Sequence, residues 1–289
     1  MGSRALVLGG GGPVGIAWES GLLAGLARAG VDLGQADLIV GTSAGSFVGA
    51  RLALGAVTAD LAEPILADAA RPAGAARPTS GGGRPPADLS RLMTLMAEAQ
   101  SGQREPQAVR AEIGAFALAA STPGEDDFIA SFGRAFASLP EGAWPERGFA
   151  CTAVDAITGE FQLWTRESGV GVTRAVASSC SVPGVYPPIT LNERRYIDGG
   201  MRSATNADMV KGHERVVVVA IRLGAGAPLD AEIETLKAAG AQVALVTPND
   251  VSLSAMGANL MDFRARGPAA HAGLAQAEAE AAAIAAFWT

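Results

Sequence analysis

The hydrophobic pattern of the first 54 residues alternates between short apolar runs and longer segments with helical spacing. An apolar run at residues 5–8 leads into a glycine cluster, and residues 14–29 then repeat large apolar side chains at roughly helical intervals. A second run, residues 38–40, leads through Gly41 into a helix-like segment at 44–54. The pattern predicts two consecutive strand–turn–helix units, which are typical of a parallel sheet with covered faces.

The middle of the chain has a different pattern. Residues 71–88 are rich in Pro, Gly and Ser and lack periodicity, which predicts a flexible loop and suggests a lid. Three helix-like segments follow at about 89–99, 106–120 and 126–139. Because strands resume afterwards, we interpret 71–139 as a flexible loop and helical cap inserted into one domain of residues 1–289.

The remaining apolar runs complete an α/β fold. Strands are predicted at residues 149–154, 160–165, 189–191, 195–197, 216–221 and 242–246. Alanine-rich helices are predicted near 230–239 and 249–287. The sequence therefore predicts a mostly parallel central sheet with helices on both faces and a helical insertion.

Composition excludes several classes of protein. Hydrophobic residues make up 49% of the 289 residues and charged ones 18%, which is unlike a disordered chain. The net charge of −7 argues against nucleic acid as a partner and against an anionic membrane surface. Cys151 and Cys180 are too few for a disulfide framework and are expected to be reduced core residues. Since no secretory signal or membrane-spanning run is found, a cytoplasmic location is expected.

The segment Gly41-Thr42-Ser43-Ala44-Gly45 has the pattern G-x-S-x-G. Its two glycines would permit a tight strand-to-helix turn that exposes a serine hydroxyl, while the following helix N-terminus favours developing negative charge. Small residues could also serve a tight turn without any chemistry. The position between a predicted strand and a predicted helix favours Ser43 as a nucleophile.

A second glycine-rich turn, Gly9 to Gly15, also lies between a strand and a helix, and it allows three interpretations. A dinucleotide-binding loop would need an acidic residue at the end of the second strand, and a Walker A loop would need a lysine; both are missing. The third interpretation is an oxyanion hole made of backbone amides. Because neighbouring parallel strands end at the same edge of a sheet, the loop is expected beside Ser43, which favours the oxyanion hole.

A serine nucleophile needs a base, and the chain has two histidines. His213 lies in a polar turn and His271 in an alanine-rich helical segment, so each is better explained as a surface or packing residue than as a base. Asp198, in Tyr-Ile-Asp-Gly-Gly, is the acidic candidate, although an Asp-Gly pair is common in plain turns. Asp155 also follows a strand but lacks the glycines.

Taken together, these motifs resemble the patatin-like phospholipases, a family of serine acyl hydrolases. The glycine loop, the Ser43 turn and the Asp198 turn occur in the family's order, and residues 177–188 look like the family's segment before the aspartate. The resemblance implies a three-layer patatin-like fold and a Ser43–Asp198 dyad without histidine. It also implies an oxyanion hole formed by the amides of Gly10, Gly11 and Gly12.

The resemblance also sets expectations for partners and cofactors. A lipid or other acyl ester would be the substrate, of the phospholipase A, lysophospholipase or lipid esterase type, with transient contact to a membrane or micelle surface. Neither a metal nor another cofactor is expected. Val14 stands where the family usually has Arg or Lys. The loss of this positive charge is expected to weaken the binding of anionic head groups. The alternative is a nucleotide-binding α/β protein that uses the glycine loop for phosphate and has no hydrolase activity.

Overall fold

A computed structural model describes residues 2–71, 89–100, 102–222 and 227–288. The predicted flexible loop at 71–88 therefore lies, apart from Arg71, outside the described residues.

Within these residues, eight strands form one mixed sheet in the order β5-β6-β3-β2-β1-β7-β8, with β4 also paired to β3. The strands are β1 (Arg4–Leu8), β2 (Leu38–Gly41), β3 (Gly148–Asp155), β4 (Phe161–Trp164), β5 (Ile189–Leu191), β6 (Arg194–Asp198), β7 (Arg215–Val219) and β8 (Gln242–Val246). Strands β3, β2, β1, β7 and β8 run parallel, whereas β4, β5 and β6 pair antiparallel. The predicted mostly parallel sheet is confirmed, and each predicted strand is found within two residues of its expected ends.

Helices cover both faces of this sheet, as predicted. They are α1 (Gly12–Arg28), α2 (Ala44–Ala53), α3 (Glu63–Ala69), α4 (Ser90–Gln100), α5 (Pro106–Ala119), α6 (Glu125–Ser131), α7 (Gly133–Phe136), α8 (Val172–Ser179), α9 (Ala227–Ala238), α10 (Asp250–Met256) and α11 (Arg266–Trp288). One face carries α1, α2, α8 and α11, and the other carries α9 together with α4 and α5 over the end of β3. No helix among the described residues is both long and apolar enough to span a membrane.

Several helices differ from the sequence-based expectation. The segment 249–287 forms two helices, because the chain leaves helical geometry at Gly257, where φ is 69°. The segment 126–139 is divided at Phe132 into two short helices. Helices α3 and α8 were not predicted, since both are short and rich in small or polar residues.

The high glycine and alanine content allows α1 and α11 to pack in close contact. A side chain on Gly21 would come within 2.2 Å of the Ala270 carbonyl oxygen, and one on Gly273 within 2.4 Å of the Trp18 carbonyl oxygen. Such close contacts bury apolar surface without large side chains.

The pairing of β3 brings the ends of β2 and β6 together. Cys151 pairs with Gly41 of β2 and also with β4, whereas Ala153 pairs with β4 and also with Asp198 of β6. Because a strand has two sides, β2 and β6 must follow one another along the same side of β3. The end of β6 therefore faces the turn that follows β2.

Candidate active site

Ser43 occupies a sharp turn between β2 and α2. Its backbone has φ 53° and ψ −115°, a strained conformation for a residue with a side chain. The turn lies against β1 so closely that a Cβ at Gly45 would be 2.1 Å from the Leu8 carbonyl oxygen. Ser43 is the N-cap residue of α2, and the N-terminus of a helix favours negative charge. This is the strand–turn–helix geometry expected from the G-x-S-x-G pattern.

Asp198 ends β6 and is 2% exposed. Its carboxylate accepts a hydrogen bond from the Gly200 amide at 2.7 Å and interacts with the Ser43 side chain. Burial raises the pKa of Asp198 to about 7, against the lowering effect of these two interactions. The carboxylate can therefore exchange a proton with its serine partner near neutral pH.

The segment 177–188 holds the backbones of both residues. The Ser43 amide donates to Ser179 Oγ at 3.0 Å, and the Cys180 thiol donates to the Ser43 carbonyl oxygen at 3.1 Å. The next residue, Ser181, accepts the Asp198 amide at its carbonyl oxygen, also at 3.0 Å. Three successive residues thus tie the serine turn to the aspartate turn. The family resemblance pointed to this segment, but the sequence did not indicate these contacts.

The glycine loop lies beside Ser43, as expected. A Cβ built on Gly10 would be 3.5 Å from Ser43 Cβ, and the Gly45 amide donates to the Gly9 carbonyl oxygen at 2.9 Å. Gly12 has φ 59°, and a side chain there would come within 2.8 Å of the Leu260 carbonyl oxygen, so this position requires glycine.

The expectation for Gly10 needs a correction. Its amide donates to the Ala204 carbonyl oxygen at 2.7 Å and is therefore not free to bind an oxyanion. The amides of Gly11 and Gly12 have no hydrogen-bond partner among the described residues. These two remain candidate donors.

The other sequence candidates lie elsewhere. His213 precedes β7 and so lies at the N-terminal ends of the parallel strands, whereas Ser43 follows the C-terminal end of β2. The Nδ1 of His213 lies 2.9 Å from the Val210 carbonyl oxygen. His271 is exposed on α11. The Asp155 carboxylate accepts hydrogen bonds from two backbone amides of the turn that follows it and from an Arg194 N–H. Val14 is fully buried in the core, and its amide donates to Leu260.

Acidic, histidine and cysteine side chains are the usual protein ligands of metal ions. Within the described ranges, no three of these residues cluster closely enough to hold one.

Comparison with known proteins places these features in a family context. The family model described as patatin-like phospholipase matches residues 6–211. The crystal structure of VipD from Legionella pneumophila is similar with a TM-score of 0.44 and 13% identity, over 98% of this chain and 67% of that one. The type III effector protein ExoU is similar with a TM-score of 0.37 and 16% identity, over 96% of this chain and 53% of that one. No curated protein sequence is significantly similar to this chain.

Proposed function

Because this chain belongs to the patatin-like phospholipase family, we propose that it is a lipid acyl hydrolase in which Ser43 is the nucleophile and Asp198 the base. The observation that carries the proposal is a buried carboxylate, Asp198, that interacts with the Ser43 side chain and has a pKa of about 7. A carboxylate at its usual pKa would be too weak a base for this role, and burial corrects that weakness.

The first half of the reaction forms an acyl-enzyme. Ser43 Oγ attacks the acyl carbonyl carbon while Asp198 accepts the hydroxyl proton. The oxyanion of the tetrahedral intermediate is stabilised by the Gly11 and Gly12 amides and by the N-terminus of α2. One such donor is worth about 2.7–4 kcal/mol in other hydrolases. As the intermediate collapses, the carbon–oxygen bond to the leaving alcohol breaks and the alcohol takes the proton from Asp198.

The second half releases the acid. Asp198, again ionised, accepts a proton from a water molecule that attacks the acyl-enzyme, and the same amides stabilise the second oxyanion. Collapse returns the proton to Ser43 Oγ and frees the carboxylic acid. No step requires a histidine or a cofactor.

The substrate is proposed to be a lipid ester of the phospholipase A, lysophospholipase or lipid esterase type. With a net charge of −7, the protein should contact a zwitterionic or neutral lipid surface through apolar area rather than through charge. We propose that this contact is transient and that the enzyme works in the cytoplasm.

A panel of lipid esters tests the proposed activity. Fatty-acid release should be measured from phospholipid, lysophospholipid, triacylglycerol and short-chain esters, all dispersed at the same molar concentration. Release from at least one lipid class is expected. No release from any ester, combined with tight NAD or ATP binding by calorimetry, would instead support the nucleotide-binding alternative.

The double variant His213→Ala/His271→Ala is expected to keep wild-type turnover within about twofold. His213 contacts the Val210 carbonyl oxygen, His271 is exposed on α11, and the buried Asp198 carboxylate already interacts with the Ser43 side chain. The kcat on the best ester of the panel checks this. A loss of tenfold or more would return a histidine to the mechanism.

A further inference from the structure

Asn206 is a fully buried polar side chain for which the proposed mechanism has no role. Its backbone has φ 49°, in the left-handed region that few residues other than glycine adopt without strain. Asparagine is among the residues that tolerate this conformation best, since its short side chain can bond locally. A buried asparagine in the left-handed region beside the site calls for a physical reason.

The side-chain amide of Asn206 lies between the two proposed catalytic turns. Its Nδ2 donates to Thr42 Oγ1 at 3.0 Å, and Thr42 directly precedes Ser43. The same nitrogen lies within hydrogen-bond distance, 3.3 Å, of the Gly199 carbonyl oxygen, and Gly199 directly follows Asp198. One amide group therefore bridges the residue before the nucleophile and the residue after the base.

A second set of bonds fixes the turn that carries Asn206. Its Nδ2 also lies 2.8 Å from the Ser203 carbonyl oxygen, so its two hydrogens are shared among Thr42, Gly199 and Ser203, and its Oδ1 accepts from Arg202 Nη1 at 2.8 Å. The following residue, Ala207, donates its amide to Glu232 on α9 at 2.9 Å. These hydrogen bonds therefore hold the turn that carries the Asn206 side chain in place.

The hydroxyl of Thr152 completes the bridge. Thr152 Oγ1 lies 2.9 Å from Thr42 Oγ1 and 3.4 Å from Asn206 Nδ2, on the strand to which both β2 and β6 pair. All three side chains are buried, so each unmade hydrogen bond would leave a polar group without water. The arrangement penalises any relative shift of the two turns.

We propose that Asn206 is a positioning residue that fixes the Ser43 turn relative to the Asp198 turn. The proposal rests on the proposed function, because it concerns the geometry of that dyad. A serine oxygen and its base must stay within hydrogen-bond reach for proton transfer, and a misplacement of about 1 Å can cost about 100-fold in rate. Loss of the bridge should therefore reduce the chemical step and leave substrate binding unchanged.

The first test variant is Asn206→Gly, which removes the amide and keeps a residue at ease with positive φ. We expect kcat on a soluble ester to fall at least tenfold with KM within twofold of wild type. The rate of phosphonylation by a fluorophosphonate should fall by a similar factor. If this variant does not fold, Asn206→Asp keeps the shape and the bond to Arg202 while removing the amide donors, and the same losses are expected.

Gln276→Ala is the matched control for lost stability. Gln276 is another buried amide, 2% exposed, which joins α1, α10 and α11 through bonds to Trp18, Ser252 and Thr247. Among the described residues, Gln276 makes no side-chain hydrogen bond to the Ser43 turn or the Asp198 turn. We expect this variant to lower the melting temperature by an amount comparable to Asn206→Gly while kcat and the phosphonylation rate of the folded protein stay at wild-type values.

A cycle with Thr42→Val checks that the bridge is the cause. Thr42→Val removes the hydroxyl that Asn206 contacts. Each single variant should therefore lower kcat, and the double variant should have a kcat no lower than that of the less active single variant. Wild-type kcat in folded Asn206→Gly or Asn206→Asp protein would overturn the inference, as would an equal loss in Gln276→Ala. Absence of phosphonylation and turnover in the wild type would instead refute the proposed function itself.

Discussion

Ser43→Ala is expected to abolish ester turnover, with a fall in kcat of about 10⁴-fold or more, the scale seen when a serine hydrolase loses its nucleophile. The Ser43 side chain interacts with the Asp198 carboxylate, and the Ser43 turn lies beside the glycine loop. Alanine keeps the turn and removes the attacking oxygen. Steady-state kinetics on the best ester of the lipid panel check this result.

Ser252→Ala serves as the control for this variant. Ser252 is a fully buried serine whose hydroxyl donates to Gln276 at 2.8 Å rather than to a residue of the proposed dyad. Its replacement should leave kcat near the wild-type value. If Ser43→Ala retained more than about 1% of wild-type turnover, another residue would have to be the nucleophile.

Asp198→Asn is expected to lower kcat nearly as severely, because the amide cannot accept the serine proton. The wild-type pH profile should report the same group: kcat/KM should rise as pH increases through about 7, where Asp198 ionises, and then level off. A profile that stays flat between about pH 5 and 9, or an active Asp198→Asn enzyme, would contradict the assignment of the base.

Although Asp198→Asn should lower kcat, it should raise the stability of the fold at high pH. The folded-state pKa of Asp198 is raised from 3.8 to about 7, so folding favours the protonated form. The stability that this preference contributes is complete below pH 4 and is lost as pH rises towards 7. At pH 8 the neutral Asp198→Asn variant should therefore melt at a higher temperature than the wild type, whereas at pH 4 the two should be similar.

The sequence was sufficient to predict the sheet and the three turns of the site. Apolar runs such as 216–221 and the glycines that follow strands carry local signals, and parallel strands necessarily bring their ends to one edge. The contact between the Ser43 and Asp198 turns was inferred from family resemblance. Its geometric basis, the succession of β2 and β6 along one side of β3, depends on strand register and could not be derived locally.

Other parts of the site depend on contacts distant in sequence. The Gly10 amide is used by Ala204, nearly 200 residues away, so its unavailability could not be recognised from the loop itself. Asn206 follows no motif, and its role depends on the meeting of Thr42 and Gly199. Gly257 ends α10 within an alanine-rich segment whose composition alone favours one long helix.

Peptide mapping of the fluorophosphonate adduct is the most direct test of a Ser43–Asp198 dyad. Wild-type protein should carry a single adduct on Ser43, formed at a rate that increases as pH rises through about 7, and the Ser43→Ala protein should carry none. An adduct on a different residue, or no adduct on a protein that hydrolyses lipid esters, would contradict the dyad.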